Sequence, residues 1–311
     1  MTATSSPAGR ILITPRSLTV DGLDAAAELQ PLRDAGYELV SAPAGRSPSQ
    51  EQLLELVPGC IGWLAGVEQI TAAVIDAADQ LKVIARNGVG TDTIEIDAAT
   101  RAGIVVTTAA GANAQGVAEL AVALGLSCLR QVPWSAASVR AGGWERYSAI
   151  ELSEVTVGVV GLGAIGRRVA AAYAALGAGV IGFDPYSSVD GIRSMPLDEL
   201  ITAADVITLH APPPEDGSAL IDEARLALVR PGSVLINTAR ASLVDDTAVL
   251  DALNDGRLSA YAVDAFATEP PALTPLLLHD RVIATPHLGA YTGASVRRAT
   301  TMAVESLLEK L

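Results

Sequence analysis

Three residues in the second half of this chain have side chains that could together assist a hydride donor in reducing a carbonyl group beside a carboxylate. Arg240, Glu269 and His287 each follow a short apolar run that is typical of a β-strand. A histidine can transfer a proton near neutral pH. A neighbouring carboxylate stabilises the imidazolium form, and a guanidinium binds a carboxylate through charge-assisted hydrogen bonds. Singly, each residue has an ordinary alternative, as a surface arginine, a turn cap before Pro270 or a core histidine.

A glycine-rich turn at Gly161, Gly163 and Gly166 predicts a dinucleotide-binding site. It follows the apolar run 155–160 and precedes an alanine-rich segment, which indicates strand, tight turn and helix. The first glycine permits the turn, the second lets the backbone approach a pyrophosphate, and the third allows close helix–strand packing. The helix N-terminus attracts the phosphates. The next predicted strand ends at Asp184, whose carboxylate would bind a ribose diol and repel a 2′-phosphate, so we expect NAD rather than NADP.

Short apolar runs alternate with Ala/Leu-rich segments along the chain, which predicts an α/β fold with parallel, helix-flanked sheets. Polar residues collect where the predicted strands end. Ligands of open α/β sheets sit at the carboxyl ends of the strands. We therefore expect one sheet edge to carry the following residues: Asp184, His210, Arg240, Asp264 and His287.

Residues 115–152 interrupt this alternation. Residues 115–130 form a long, mostly apolar predicted helix with Glu119 as its only acid. Such a helix is buried nearly all round, or lies between domains or subunits. Aromatic residues, otherwise rare, cluster at 132–152, which is either a local packing cluster or a subunit-contact arm.

The composition limits the classes of function. A chain of 311 residues, half of them hydrophobic and 18% charged, suffices for about two domains. The net charge of −14, with no basic block, argues against nucleic acid or an anionic membrane as a partner. Cys60 and Cys128 form no metal-binding pattern and the histidines are scattered, so no metal site is predicted. No signal peptide or spanning segment is recognisable, and a cytoplasmic location is expected.

The chain resembles the D-isomer-specific 2-hydroxyacid dehydrogenases over nearly its whole length. Its opening and the segment at Arg86 are most similar to the D-3-phosphoglycerate dehydrogenase branch, and we expect a short form without the regulatory domain. Besides the glycine motif, the resemblance rests on these segments: 11–16, 86–92, 111–113, 117–119, 140–144, 151–152, 184–186, 238–240, 263–264, 269–270 and 286–289.

The resemblance implies two Rossmann-like, doubly wound parallel-sheet domains, with the cofactor domain inserted into the substrate domain. Residues 1–108 and 284–311 would form the substrate domain, and residues 109–283 the NAD-binding domain. The family is commonly dimeric through the arm after the long helix, so a homodimer is expected.

The family's site residues carry over onto this chain as expectations. Arg240 would bind the substrate carboxylate, His287 would be the acid and base, and Glu269 would stabilise the protonated histidine. Backbone amides near Gly88 and Val89 would also bind the substrate carboxylate. The cofactor would contact the following residues: Gly161, Gly163, Ala164, Ile165, Asp184, His210, Pro212, Thr238, Asp264, His287 and Gly289.

The chain departs from the family's usual residues without losing a catalytic group. Thr93 stands where asparagine is usual, Ala241 where glycine is usual, and Glu154 where a basic residue is usual. Residues 210–214 read His-Ala-Pro-Pro-Pro instead of His-x-Pro-Leu-Thr. That change alters the loop beside the expected nicotinamide site.

The expected activity is NAD-dependent interconversion of a small 2-oxo acid and its D-2-hydroxy acid, of EC 1.1.1 type. Arg16 and Arg86 follow substrate-domain strands. They would bind a distal phosphate or second carboxylate, as in a 3-phosphoglycerate-type substrate, or they are surface or interdomain arginines. A hydroxypyruvate-type substrate is the other substrate class that the resemblance suggests.

Two other functions stay open on the sequence. Oxidation of an unusual substrate such as phosphite occurs in one branch of the family, but that branch has a lysine where Asn87 stands. An NAD(H)-sensing corepressor or scaffold is the second, because relatives in that role can keep the Arg/Glu/His set. Turnover of a 2-oxo acid would distinguish an enzyme from such a sensor or scaffold.

Overall fold

The computed structural model describes residues 7–311, and the chain divides into two compact units. The first unit runs to Asn113 and resumes at Gly293–Leu311, and the second unit is Ala114–Thr292. The second unit is therefore inserted into the first. Both boundaries expected from the sequence lie earlier in the chain than those of the structure: 108/109 against 113/114, and 283/284 against 292/293. His287, which the sequence placed in the returning segment of the substrate domain, lies in the second unit.

The first unit contains a five-stranded parallel sheet in the order β2-β1-β3-β4-β5. Its strands are β1 (Arg10–Ile13), β2 (Glu38–Ser41), β3 (Cys60–Ala65), β4 (Val83–Arg86) and β5 (Val105–Thr108). Its helices are α1 (Arg16–Thr19), α2 (Gln30–Asp34), α3 (Gln50–Leu56), α4 (Ala72–Asp76), α5 (Ile96–Arg101) and the returning α12 (Gly293–Lys310). Short 3₁₀ turns occur at Leu23–Ala25 and Ala27–Leu29.

Both faces of this first sheet are covered, as expected of parallel strands. One face packs with α3, α4 and α5 around Trp63, and the other packs with α2 and α12 around Leu64. Neighbouring residues of β3 thus point to opposite cores, which follows from the two-residue period of a strand.

The second unit contains a seven-stranded parallel sheet in the order β12-β11-β10-β9-β6-β7-β8. Its strands are β6 (Thr156–Val160), β7 (Gly179–Phe183), β8 (Arg193–Ser194), β9 (Val206–Leu209), β10 (Ser233–Asn237), β11 (Leu258–Val263) and β12 (Val282–Ala284). Its helices are α6 (Ala114–Leu129), α7 (Val132–Arg140), α8 (Gly166–Ala175), α9 (Leu197–Ala203), α10 (Glu223–Leu226) and α11 (Asp246–Asn254), with 3₁₀ turns at Leu152–Glu154 and Ala241–Leu243.

Helices α6 and α8 cover one face of the second sheet, and α9 and α11 cover the other. Val159 faces the first of these cores and Val160 the second. Two parallel-sheet α/β units confirm the predicted fold class. None of the helices within residues 7–311 is long and apolar enough to cross a membrane.

The segment that interrupts the alternation is more exposed than the sequence suggested. Helix α6 keeps an exposed strip at Gln115, Glu119 and Ala123, spaced four residues apart on one face. None of the nine residues of α7 is fully buried, and the side chain of Trp144 is 82% exposed. Pro133 stands in the first turn of α7, where proline favours helix initiation.

Part of the aromatic cluster packs locally. The Arg281 guanidinium lies 5.2 Å from the ring centre of Trp134 and 5.9 Å from that of Tyr147, which are cation–π distances. Trp134 Nε1 also donates a hydrogen bond to the Asp280 carbonyl oxygen. Two of the aromatic residues therefore anchor the segment to the loop before β12, whereas Trp144 stays exposed.

Candidate active site

The carboxyl ends of six neighbouring strands in the second sheet lie in one row. Their last residues pair in register, in the order Phe183, Val160, Leu209, Asn237, Val263 and Ala284. The residues that follow them therefore share one edge of the sheet, in the order Asp184, Gly161, His210, Thr238, Asp264 and Thr285. This is the edge at which open α/β sheets bind ligands.

The three glycines of the turn after β6 have three different surroundings. Gly161 has φ +91°, and a β-carbon there would lie 2.6 Å from the carbonyl carbon of His210. A β-carbon on Gly166 would lie 1.8 Å from the Gly161 carbonyl oxygen, whereas one on Gly163 would meet no atom of the described chain within 4 Å. The first and third glycines are thus required by the protein itself, and the open side at Gly163 fits the approach of a pyrophosphate.

Asp184 ties the end of β7 to the glycine turn. One carboxylate oxygen accepts a hydrogen bond from Leu162 N at 2.7 Å, and the other accepts from the backbone N–H groups of Tyr186 and Ser187. Partial burial works to raise the pKa of Asp184, but these hydrogen bonds outweigh it and hold the pKa below its ordinary value. Asp184 therefore stays ionised, as a ribose-binding carboxylate requires.

His210 and Thr238 place polar atoms at the sheet edge that the described chain does not satisfy. The His210 Nε2 atom lies 2.8 Å from Thr208 Oγ1. His210 Nδ1 and Thr238 Oγ1 are buried and find no hydrogen-bond partner among the described residues. Burial lowers the pKa of His210 to about 3, so this imidazole is neutral at physiological pH. Unsatisfied buried polar atoms beside the glycine turn fit a site that receives a polar cofactor.

The loop that carries His287 is held by Asp264, which is 2% exposed. Asp264 Oδ1 accepts from Thr285 Oγ1 at 2.5 Å and from Leu288 N at 2.7 Å, and Oδ2 accepts from Gly289 N at 2.8 Å. His287 has φ +52°, a left-handed conformation that is uncommon outside glycine. These contacts, together with a hydrogen bond from Thr285 N to Val263 O, join the loop to β11 and place it in the second unit.

His287 and Glu269 form a direct pair. His287 Nδ1 lies 2.7 Å from Glu269 Oε1, and the side chains are 51% and 43% exposed. The carboxylate fixes the Nδ1-protonated form of a neutral ring, so Nε2 is left for proton exchange with a ligand. Phe266 N also donates to Glu269 Oε1, at 3.4 Å. The predicted acid–base pair is therefore assembled within one unit.

Arg240 follows β10 in a turn organised by Asn237. Asn237 Nδ2 donates to the Arg240 carbonyl oxygen at 2.8 Å, and Asn237 Oδ1 accepts from Ala239 N at 3.1 Å. The Arg240 guanidinium donates to the Ala239 carbonyl oxygen through Nη1 at 2.9 Å. Arg240 is half-buried and lies two residues after Thr238, the residue of the aligned row that follows β10. Of the other expected cofactor contacts, Ala164 and Pro212 are exposed and Ile165 is half-buried.

The expected substrate residues of the first unit lie in the loop after β4. Arg86 Nε donates to the Gly90 carbonyl oxygen at 3.1 Å, and Nη1 donates to the Asn87 carbonyl oxygen at 3.3 Å. Gly88 N donates to the Arg86 carbonyl oxygen within a tight turn. The guanidinium thus shapes its own loop. Val89 is exposed.

Two residues that hold the candidate site in place were not predicted from the sequence. Asn237 is the last residue of β10 and bonds to the Arg240 turn, and Thr285 directly follows β12 and bonds to Asp264. Neither side chain is charged, and only the strand register shows which residues they contact. Their position beside predicted functional residues was the available signal. Within residues 7–311, no three His, Cys, Asp or Glu side chains lie close enough together to hold a metal ion.

Residues 122–289, more than half of the chain and all within the second unit, match the model of the D-isomer specific 2-hydroxyacid dehydrogenase NAD-binding domain. The chain belongs to this dehydrogenase family. The family consists of oxidoreductases. The second unit of this chain is the NAD-binding domain. This confirms the resemblance expected from the motifs.

Several relatives and solved structures are similar to most of this chain. D-3-phosphoglycerate dehydrogenase of Mycobacterium bovis is 42% identical over 268 residues, which are 84% of this chain and 51% of that protein. The chain therefore spans about half the length of the curated relatives it matches. The TT0316 protein of Thermus thermophilus superposes with a TM-score of 0.86 at 34% identity, covering 96% of both chains. D-lactate dehydrogenase of Aquifex aeolicus, solved with NAD and lactic acid, superposes with a TM-score of 0.81 at 28% identity, covering 96% of this chain and 94% of that one.

Proposed function

We propose that this protein interconverts a small 2-oxo acid and its D-2-hydroxy acid with NAD(H). The observation that carries the proposal is the His287–Glu269 pair at 2.7 Å, on a loop that begins at the same sheet edge as the glycine turn and Asp184. A proton-transfer pair beside a dinucleotide site is the minimum set for reducing a carbonyl group with a hydride.

The side chains of the second unit have distinct roles in this proposal. His287 gives a proton to the carbonyl oxygen during reduction and takes it back during oxidation, while Glu269 stabilises the imidazolium form. Arg240 binds the substrate carboxylate and polarises the carbonyl group. NAD, when bound, supplies or accepts the hydride. Asp264 positions His287 by holding residues 285–289, and the loop at Gly88 and Val89 of the first unit contributes to substrate binding.

The proposed reaction is tested by following NADH oxidation with a panel of 2-oxo acids. We expect turnover of at least one of them, and a KM for NADPH about tenfold or more above that for NADH, because Asp184 is ionised and would face the 2′-phosphate. Equal use of both cofactors would contradict the role of Asp184. NADH binding without turnover of any 2-oxo acid would instead favour the sensor or scaffold function.

His287→Ala tests the acid–base role directly. We expect kcat to fall by about 10²–10⁴-fold, the usual contribution of a positioned general acid, while the Kd for NADH stays near that of the unaltered protein. His279→Ala is the matched control in the same unit, because His279 Nδ1 only accepts a backbone hydrogen bond from Arg281. Turnover of His287→Ala at the unaltered rate would overturn the assignment.

The proposal also includes a cytoplasmic homodimer formed through residues 132–152. The exposed Trp144 and the absence of any fully buried residue within α7 support a subunit contact there. The two buried free cysteines are compatible with a reducing compartment. A light-scattering mass equal to one chain at micromolar concentration would contradict the dimer.

A further inference from the structure

Helix α8, which follows the glycine turn, begins with two positively charged residues. Arg167 and Arg168 stand directly after Gly166, the first residue of the helix, and the first turn contains no acidic residue. The N-terminus of a helix carries a partial positive charge, so that anions are favourable there and cations are unfavourable. The two arginines therefore stand where the helix alone would disfavour them.

Both guanidinium groups reach back to the glycine turn, because side chains on a helix lean towards its N-terminus. Arg167 Nε donates to the Gly163 carbonyl oxygen at 3.1 Å, and Arg167 Nη2 donates to the Leu162 carbonyl oxygen at 3.4 Å. Arg168 Nη1 donates to the Ala164 carbonyl oxygen. Two exposed, positively charged side chains thus lie on the turn itself.

These hydrogen bonds also orient the backbone N–H groups of the turn. In a planar trans peptide the C=O and N–H bonds point in opposite directions. Because the arginines hold three successive carbonyl groups, the N–H groups of Gly163, Ala164 and Ile165 point away from the carbonyl side. None of these three N–H groups donates to an acceptor within residues 7–311. A β-carbon on Gly163 would meet nothing within 4 Å, so these donors lie beside open space.

An anion is the ligand that this arrangement fits. Neither guanidinium forms an ion pair with a carboxylate of the described chain. Asp184 is bonded instead to Leu162 N, the N–H group just before the three. The same sheet edge gives a second, independent indication of a ligand. His210, whose backbone lies against Gly161, has a buried Nδ1 atom with no hydrogen-bond partner among the described residues.

We propose that Arg167 and Arg168 bind the pyrophosphate of NAD, in addition to the glycines of the turn. Their charges attract the two phosphates, and their hydrogen bonds hold three N–H groups in the orientation that phosphate oxygens can accept. The bound anion offsets the unfavourable position of both cations at the start of α8. This inference concerns the NAD-binding domain by itself and does not depend on the reaction proposed above.

The test is the Kd for NADH of Arg167→Gln, measured by fluorescence from about 50 mM to about 500 mM NaCl. Glutamine has nearly the helix propensity of arginine but no charge. We expect the Kd at low salt to rise about tenfold, the typical effect of one charge-assisted hydrogen bond. We also expect the Kd to depend less on salt than in the unaltered protein, because one of the charges that salt screens is gone. Arg168→Gln should change both quantities in the same direction.

Arg130→Gln is the matched control, because it removes the same charge from an exposed position directly after α6 of the same unit. Both quantities should stay as in the unaltered protein. A salt dependence of Arg167→Gln equal to that of the unaltered protein would overturn the proposal, since a merely structural role of Arg167 would weaken binding equally at every salt concentration. The same change in Arg130→Gln as in Arg167→Gln would also overturn it.

Thermal unfolding of the ligand-free variants shows whether they fold. If Arg167→Gln does not fold, Arg168→Gln decides by the same two quantities, because Arg168 makes only one hydrogen bond to the turn. The measurement needs no turnover. Absence of activity with every 2-oxo acid would therefore overturn the proposed function and leave this inference standing, whereas absence of NADH binding by the unaltered protein would overturn this inference.

Discussion

The two units use the carboxyl edge of a parallel sheet in different ways. In the second unit, residues that directly follow the strands form one row, and Asp264 holds the His287 loop with three hydrogen bonds. In the first unit, the Arg86 guanidinium donates hydrogen bonds to its own loop. The buried Glu68, three residues beyond β3, has one carboxylate oxygen with no donor among residues 7–311. The strand ends of the second unit are thus tied to one another, whereas the loop of the first unit is tied to itself, and we expect changes in the two units to affect different kinetic constants.

Outside the His287–Glu269 pair, the largest effect is expected where the second unit is most tightly constrained. In the unaltered protein, each carboxylate oxygen of Asp264 accepts a hydrogen bond from a backbone N–H group, of Leu288 or of Gly289. In Asp264→Asn, the amide NH₂ group must face one of these donors, and the clash of two donors displaces the His287 loop. We expect kcat to fall by about 10²-fold, as for a misplacement of about 1 Å in a catalytic group. Asp251→Asn, at an exposed position on α11, is the control. A kcat within twofold of the unaltered protein, roughly the scatter of such assays, would remove Asp264 from the positioning role.

A smaller effect, on KM alone, is expected in the first unit. In Arg86→Lys, an ammonium group cannot reproduce the planar guanidinium that reaches both Gly90 O and Asn87 O. We expect the loop to loosen, the KM for the 2-oxo acid to rise about tenfold, and kcat and the KM for NADH to change little. The same substitution at the exposed Arg101 of α5 is the control. A fall in kcat without a change in KM would break the proposed division between the units.

The smallest effect is expected on the pH dependence of stability. The pKa of His210 falls from 6.5 to about 3 because the ring is buried. Between these two values the unfolded chain binds a proton that the folded chain does not, so the contribution of His210 to stability is present above pH 6.5 and is lost as the pH falls towards 3. His210→Gln removes this titration.

The measurement for His210 is the urea midpoint of unfolding at pH 4.5 and at pH 7.5. The difference between the two midpoints should be smaller in His210→Gln than in the unaltered protein. His279→Gln, which changes a half-buried histidine of the same unit, should leave the difference as it was. An unchanged difference in His210→Gln would mean that His210 is protonated in the folded protein.

Much of the second unit could be predicted because its functional residues directly follow apolar strands. The glycine turn, Asp184 and the strand ends at His210 and Asp264 are visible as breaks in a β-branched pattern. The boundaries of the units were harder to predict from the sequence. His287 follows the last strand, and only its loop's hydrogen bonds to Asp264 and Val263 show that it stays with the second sheet rather than with helix α12.

The sequence by itself determined the α/β class, because that depends on local periodicity. Its motifs of contiguous residues carried the resemblance to the dehydrogenase family, and that resemblance implied the insertion of one unit into the other. The tertiary structure brings Glu269 and His287 together, as the resemblance implied, and it alone decided that Glu68, three residues beyond β3, meets Thr14 at the end of β1. Pairing across 18 residues and hydrogen bonding across 54 residues depend on strand register and loop conformation. Neither is encoded in the spacing of residue types along the chain.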